Sequence, residues 1–431
     1  MNSSGKQQLI LFGLFSKRLP TVNYYYFYGL RFMQNLSKNT IIGVIGAGTM
    51  GAGIAQVAAS NGHQVVLCET NAKVIEKAKS NIAGTYQKLV EKGKVSASDA
   101  SEIQKRIHYA MSIETVKDCG LIIEAIIEDL SVKKALFSDL EEIVSSDCIL
   151  ATNTSSLSVT SIAAACKKSA RVIGLHFFNP APLMPLVEII PSVQTDAALA
   201  GALRELMLAW KKTPVIARDT PGFIVNRLAR SYYGESIRIY EESWEGVERN
   251  ENGLQTIDQA LKSAGFKMGP FELMDMIGND INYTVTETVW KQMFHDSRYK
   301  PSLTQKRLFE AGRFGRKSGI GYYNYSEGAS NGVASVDPTL QEKIFSRVIA
   351  MLINEAVDAF YLGIATREDL DQAMMKGVNY PKGLLQWCDE IGAQKILSTL
   401  ESLYADYLEE RYRPSVLLRK MASSGKKFYN Q

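Results

Sequence analysis

The chain has 431 residues, 46% of them hydrophobic and 22% charged, which fits two or three folded domains and excludes a largely disordered chain. Its formal charge of +4 is slight for this length and is not gathered into a basic run with interleaved aromatics, so nucleic acid is not expected as a partner. The five cysteines have neither metal-ligand nor disulfide spacing, and no apolar run reaches the length of a membrane span. A reducing compartment follows, with a bacterial cytoplasm as the expected location and the mitochondrion as the alternative.

Residues 1 to 40 stand apart. A short apolar patch from Leu9 to Phe15 precedes Lys17 and Arg18, tyrosines crowd at 24 to 28, and no acidic residue occurs before Glu69. An organellar presequence and a signal peptide are two readings; a true start at Met33, with an upstream extension of no structural role, is preferred to both. The segment is expected to lack order.

Ile41 to Ile45 is an apolar, β-branched run that leads directly into Gly46-Ala47-Gly48-Thr49-Met50-Gly51 and then a helical pattern through Ala59. Strand, glycine loop and helix in that order form a phosphate cradle. Gly46 permits the tight turn, Gly48 lets the backbone approach a pyrophosphate, and Gly51 lets helix and strand pack closely. A second strand, His63 to Cys68, ends at Glu69, about twenty residues on, where a carboxylate holds ribose hydroxyls and repels the extra phosphate of NADP. NAD is therefore the expected cofactor.

A helical pattern from Ala72 to Lys92 leads to a loop, and strands then alternate with helices: Leu121 to Ile126, Cys148 to Asn153, Val172 to Phe178. That alternation predicts an α/β, doubly wound, mostly parallel sheet of Rossmann type. Three polar clusters fall at strand ends, Glu124 to Glu128, Asn153 to Ser156 and His176 to Asn179, and so converge on one crevice beside the nucleotide. Helix capping is the alternative for each cluster taken alone. Between Val172–Phe178 and Leu186–Ile190, Pro180, Pro182 and Pro185 stiffen the turn, which would set His176 beside Glu188. A neutral imidazole with a carboxylate on its other nitrogen is a general base with its orienter; a strand-end histidine satisfied by backbone is the structural alternative.

After a last strand, Pro214 to Ala217, the run Asp219-Thr220-Pro221-Gly222 marks a boundary and a candidate hinge, and a long helix is expected from Phe223 to Glu242 with Asn226 and Arg227 in its first turn. The region beyond occurs twice. Ile257-Asp258-Gln259-Ala260, Gly269 and Ile277-Gly278 recur as Leu370-Asp371-Gln372-Ala373, Gly383 and Ile391-Gly392, across a linker at Ser326 to Val336. Where the first copy has Asn226-Arg227 the second has Ser346-Arg347, so the amide is absent and the second copy is read as structural. The expected domains are a nucleotide-binding domain over 41–219 and two all-α domains over 220–327 and 335–431.

HFFNP at His176 to Pro180, LVEII at Leu186 to Ile190, NTSSLS at Asn153 to Ser158 and DTPGFIVNR at Asp219 to Arg227, in that order, resemble the signatures of the 3-hydroxyacyl-CoA dehydrogenase family. The resemblance implies NAD-dependent oxidation of an L-3-hydroxyacyl-CoA, with His176 as base paired to Glu188 and with Ser155 and Asn226 holding the substrate. It also implies that Glu69, Glu128, Lys133, Asn179 and Lys317 line the NAD site beside the glycine loop, and that Thr85 and Lys92 meet coenzyme A. Single-copy members dimerise through the helical domain, so either a homodimer or an intrachain stand-in for it, formed by the second copy, is expected. Two other functions fit the same motifs: a dehydrogenase of a free hydroxy acid or sugar acid, and a nonenzymatic nucleotide-binding protein.

Overall fold

The computed structural model describes residues 36–326 and 337–429. Nearly all of the N-terminal segment and residues 327–336 of the expected linker lie outside the described residues. The strands are β1 (Ile42–Ile45), β2 (Val65–Cys68), β3 (Ile107–Ala110), β4 (Leu121–Glu124), β5 (Ile149–Thr152), β6 (Val172–Phe177), β7 (Leu186–Pro191) and β8 (Thr213–Ile216). They form one eight-stranded sheet in the order β3-β2-β1-β4-β5-β6-β7-β8. The strands from β1 to β6 are parallel, β7 pairs antiparallel with β6, and β8 runs parallel to β7. The inner strands are continuous apolar runs because both faces are covered. Ile42, Val44, Leu67 and Ile123 are wholly buried, and each such side chain contributes about 1.5–3 kcal/mol.

Helices α1 (Thr49–Ser60), α2 (Ala72–Glu91), α3 (Ala97–Lys105), α4 (Leu130–Ile143), α5 (Val159–Ala163) and α6 (Ala197–Ala209) accompany the sheet. The expected loop after α2 in fact holds α3 and β3. β3 is an edge strand with His108 exposed, so its apolar signal is broken, and α3 buries only Ala100.

The first helical copy comprises α7 (Val225–Leu228), α8 (Arg230–Glu242), α9 (Glu251–Ser263), α10 (Pro270–Ile277), α11 (Asn279–Gln292) and α12 (Leu303–Glu310). The second comprises α13 (Pro338–Tyr361), α14 (Arg367–Gly377), α15 (Leu384–Ile391), α16 (Ala393–Tyr407) and α17 (Val416–Ser424). The single helix expected from Phe223 to Glu242 is instead two: Phe223 has φ +47, outside helical space, and a break at Ala229 separates α7 from α8.

The copies are built alike. In the first, Asp258 accepts from the N–H groups of Phe271 and Glu272 and from the Tyr323 hydroxyl; in the second, Asp371 accepts from Leu385, Gln386 and Tyr429 in the same way. They face each other through α8, α9 and α13. Arg227 of α7 pairs with Glu355 of α13 at 2.6 Å, and Arg347 of α13 pairs with Glu235 of α8 at 2.6 Å, all four side chains buried. Tyr299 donates to Glu355 as Tyr412 donates to Glu235. The sheet also joins this assembly: Leu186, Ile190 and Val215 belong to the helical core, and α14 packs against β7, β8 and α7.

Candidate active site

The glycine loop leaves β1 through Gly46 at φ +96, where a Cβ would fall 2.6 Å from the Ala125 carbonyl oxygen. A Cβ on Gly51 would lie 1.8 Å from the Gly46 oxygen, so α1 seats against the loop only because that position is bare. A Cβ on Gly48 would meet nothing within 4 Å, which leaves the loop open on the side where phosphates approach. The first turn of α1 carries no acidic residue, and its N–H groups favour an anion. Met50 stands in that turn, packed on the sheet core. At the end of β2 the Glu69 carboxylate accepts from the N–H of Ala47 at 3.3 Å and of Asn71 at 3.0 Å, which sets it beside the loop. These features fit NAD, with Glu69 available to its ribose.

The strand-end clusters meet. Glu128 Oε1 accepts from the Thr154 hydroxyl at 2.6 Å, the Ser155 N–H at 2.9 Å and the Ser156 N–H at 3.2 Å, so it holds the Asn153–Ser156 turn in place. Burial opposes the charge on Glu128, but Lys133, Thr154 and the Ser155 N–H outweigh it and hold the carboxyl below its ordinary value. Lys133 is buried, with Nζ 2.5 Å from Glu124 and 3.3 Å from Glu128. Glu124 also accepts from Thr152 and from the Ile126 N–H, and its part as the anchor of this group was not evident from sequence. Asn153 Oδ1 accepts from the Phe177 N–H at 2.7 Å and so ties the second cluster to the third.

His176 and Glu188 are direct cross-strand partners in the antiparallel β6–β7 pair. Nδ1 of His176 lies 2.7 Å from Glu188 Oε2, and both side chains are buried. The other oxygen of Glu188 accepts from the N–H groups of Ile224 and Val225, at 3.1 and 2.9 Å. With those donors fixing the carboxylate as an acceptor, Nδ1 carries the hydrogen and Nε2 keeps its lone pair. Phe178 and Phe223 flank the imidazole with ring centroids 4.5 and 5.9 Å away. One residue beyond Val225, Asn226 donates from Nδ2 to the Ser155 carbonyl at 3.2 Å, and thus links the helical copy to the Glu128 network.

A cavity of about 840 Å³ runs beside the glycine loop, lined by Gly48, Thr49, Thr85, Asn179, Pro182 and Lys212 among others. Thr85 donates its hydroxyl to the Asn81 carbonyl, while Lys92 is exposed at the end of α2. Lys317 lies on the first helical copy with Nζ 2.6 Å from Asp280. Two positioning groups escaped the sequence reading. Lys212 is buried and donates to the carbonyls of Ala181 and Met184, which clamps the turn after His176. Asp219 accepts from the N–H groups of Val159 and Thr160 and from the Ser158 hydroxyl, and so fastens the domain boundary to the start of α5. A lone lysine carries no sequence signal for such a role, and Asp219 was legible only as part of the boundary run, without the bonds it makes to the start of α5.

Family models place the chain. The model for the NAD-binding domain of 3-hydroxyacyl-CoA dehydrogenase matches residues 41–220, and the model for its C-terminal domain matches twice, at 222–325 and 344–429. The chain is 38% identical to the 3-hydroxyadipyl-CoA dehydrogenase of Escherichia coli K12, over 88% of this chain and 97% of that protein. It is 40% identical to the human mitochondrial hydroxyacyl-coenzyme A dehydrogenase over 65% of this chain and 90% of the other. A crystal structure of 3-hydroxybutyryl-CoA dehydrogenase from Escherichia coli K12 superposes with a TM-score of 0.81 at 38% identity, covering 89% of this chain and 98% of that one. Among the described residues no helix is long and apolar enough to cross a membrane. The chain belongs to the 3-hydroxyacyl-CoA dehydrogenase family, NAD-dependent enzymes that oxidise a 3-hydroxyacyl-CoA to the 3-ketoacyl-CoA.

Proposed function

We propose that His176 is the general base of this oxidation and that Glu188 holds it. The observation that carries the reading is the 2.7 Å bond from Nδ1 to a carboxylate whose second oxygen is taken up by two backbone N–H groups, which leaves Nε2 as the proton acceptor. His176 takes the hydroxyl proton of the substrate, and Glu188 stabilises the imidazolium that results. NAD, when bound, accepts the hydride from the same carbon. Ser155 and Asn226 position the substrate oxygens, supported by the contact between them and by the Glu128 and Lys133 network beneath Ser155. The cavity lined by Thr85 and Asn179 beside the glycine loop supports a place for the coenzyme A arm.

The similar Escherichia coli proteins are named for four- and six-carbon acyl groups, and short acyl chains are accordingly the proposed substrates. The reciprocal Arg–Glu pairs support a further reading, in which the second helical copy takes within one chain the place that a partner subunit fills in a dimer. For the base, His176→Ala and Glu188→Gln are each expected to lower kcat by about 10²- to 10⁴-fold in NADH-coupled reduction of acetoacetyl-CoA, with NADH affinity retained. Equal losses in turnover and in NADH binding would rule the role out.

A further inference from the structure

Arg230 begins α8, one helical turn, about 5.4 Å, beyond Asn226. It is 5% exposed and, among the described residues, has no acidic partner. Nε donates to the Asn226 carbonyl and Nη1 to the Asn282 carbonyl and the Thr286 hydroxyl, while Nη2 makes no hydrogen bond. The guanidinium stands over the Tyr233 ring at 5.0 Å. Burial draws its pKa below the ordinary value, against the opposing influence of Tyr233 and Tyr380. Tyr380, from the second copy, is also buried, and its hydroxyl has no hydrogen-bond partner.

The second copy lacks the Arg230 and Tyr233 groups. The Arg227/Arg347 and Glu235/Glu355 pairs align α7 and α8 with α13, and this alignment puts Ala350 where Arg230 stands, Ile353 where Tyr233 stands and Ser346 where Asn226 stands. Counting back from Gly383 and Gly269, the first copy has Phe266, without a hydroxyl, in the place of Tyr380. A buried guanidinium without a counter-charge is unfavourable, and the second copy has alanine at the matching helix position. Arg230 and Tyr380 are therefore complementary to something that arrives from outside.

We propose that Arg230, with the hydroxyls of Tyr380 and Tyr233, forms a subsite for the terminal carboxylate of an ω-carboxyacyl thioester, so that the enzyme selects short dicarboxylyl-CoA substrates over their methyl-ended counterparts. The inference rests on the thioester reading above. Asn226 marks the reacting end of the crevice, and the Arg230 guanidinium is tied to it through the Asn226 carbonyl at 2.8 Å, a separation that suits a carboxylate on a short acyl chain. A carboxylate there gains a charge-assisted bond from Nη2 and satisfies the stranded Tyr380 hydroxyl. A methyl group leaves both unmet.

The test compares kcat/KM for 3-ketoadipyl-CoA with that for 3-ketohexanoyl-CoA, equal in length, with acetoacetyl-CoA as reference. The wild-type enzyme is expected to favour the diacid by about 100-fold. Arg230→Met brings that ratio close to one, and Tyr380→Phe, which copies Phe266, lowers it several-fold. A wild-type ratio at or below one, or an Arg230→Met loss shared equally by both substrates, overturns the subsite. Should Arg230→Met fail to fold by circular dichroism, the Tyr380→Phe ratio decides, and no change in it also overturns the subsite. Wild-type reduction of acetoacetyl-CoA without diacid preference removes the subsite alone; no reduction of any thioester removes the dehydrogenase reading and the subsite with it.

Discussion

The buried pair Arg227–Glu355 and its twin Arg347–Glu235 have the same 2.6 Å separation and the same tyrosine donor on the carboxylate, but their neighbourhoods differ. Beside Arg227 stand Val225, whose N–H holds Glu188, and Asn226, which reaches Ser155; beside Arg347 stands Ser346, whose hydroxyl bonds only to Glu342 of its own helix. The ion pair is thus a fastening common to both copies, and the chemistry was added on one side of it. The second copy still contributes to that side. A Cβ on Gly377, the last residue of α14, would lie 2.6 Å from Leu186 Cδ2, 3.0 Å from Val225 Cγ2 and 3.7 Å from Phe178 Cε1. Those three residues surround the His176–Glu188 pair.

The sharpest way to test this contrast is to remove the twin carboxylates one at a time. Glu355→Gln and Glu235→Gln each remove the nearest carboxylate of a buried arginine, leaving Arg227 with Asp358 and Arg347 with Glu242, and each is expected to cost up to about 3–5 kcal/mol in urea unfolding. Only Glu355→Gln should also depress kcat, because only Arg227 adjoins Val225 and Asn226. Equal kcat losses per folded molecule would erase the distinction between the copies. A smaller effect is expected from Gly377→Val, about 1–3 kcal/mol of overpacking, with kcat/KM lowered and NADH affinity unchanged. Shortening Leu186 to valine in that background should recover part of the activity; no recovery would mean that Gly377 acts elsewhere.

The smallest expected effect lies on the sheet side, which has no twin to compare. Glu128 is held below its ordinary pKa of 4.5, so its bonds to Thr154 and Ser155 contribute stability that is fully present above that value and is lost as pH falls through the depressed one. Unfolding midpoints measured from about pH 6 down to 3 should therefore converge for wild type and Glu128→Gln at the acid end. A constant gap across that range would place the contribution of Glu128 in something other than its charge.

Much of this was legible because the informative residues sit on regular elements. Ile41 to Cys68 reads as strand, loop, helix, strand from apolar runs and three glycines alone, and the His176–Glu188 juxtaposition follows from two apolar runs joined by a proline-stiffened turn. β3 was hidden because an edge strand with His108 in solvent lacks the pattern of a buried one. The break of the expected helix at Ala229 was hidden because alanine carries no signal for interruption. Arg230 was invisible for a different reason: what matters about it is the partner it lacks, and a missing partner is a property of the folded neighbourhood.

The alternation of side chains along β7 carries one more implication. Val187 and Ile189 enter one core, while Leu186 and Ile190, on the face that Glu188 shares, enter the other. A slip of one residue would set Val187 or Ile189 against His176 and force the carboxylate among the aliphatic side chains under α1 and α6. The pairing that buries the β7 side chains correctly is therefore the one that gives the base its carboxylate, so folding of this hairpin and assembly of the catalytic pair are a single event.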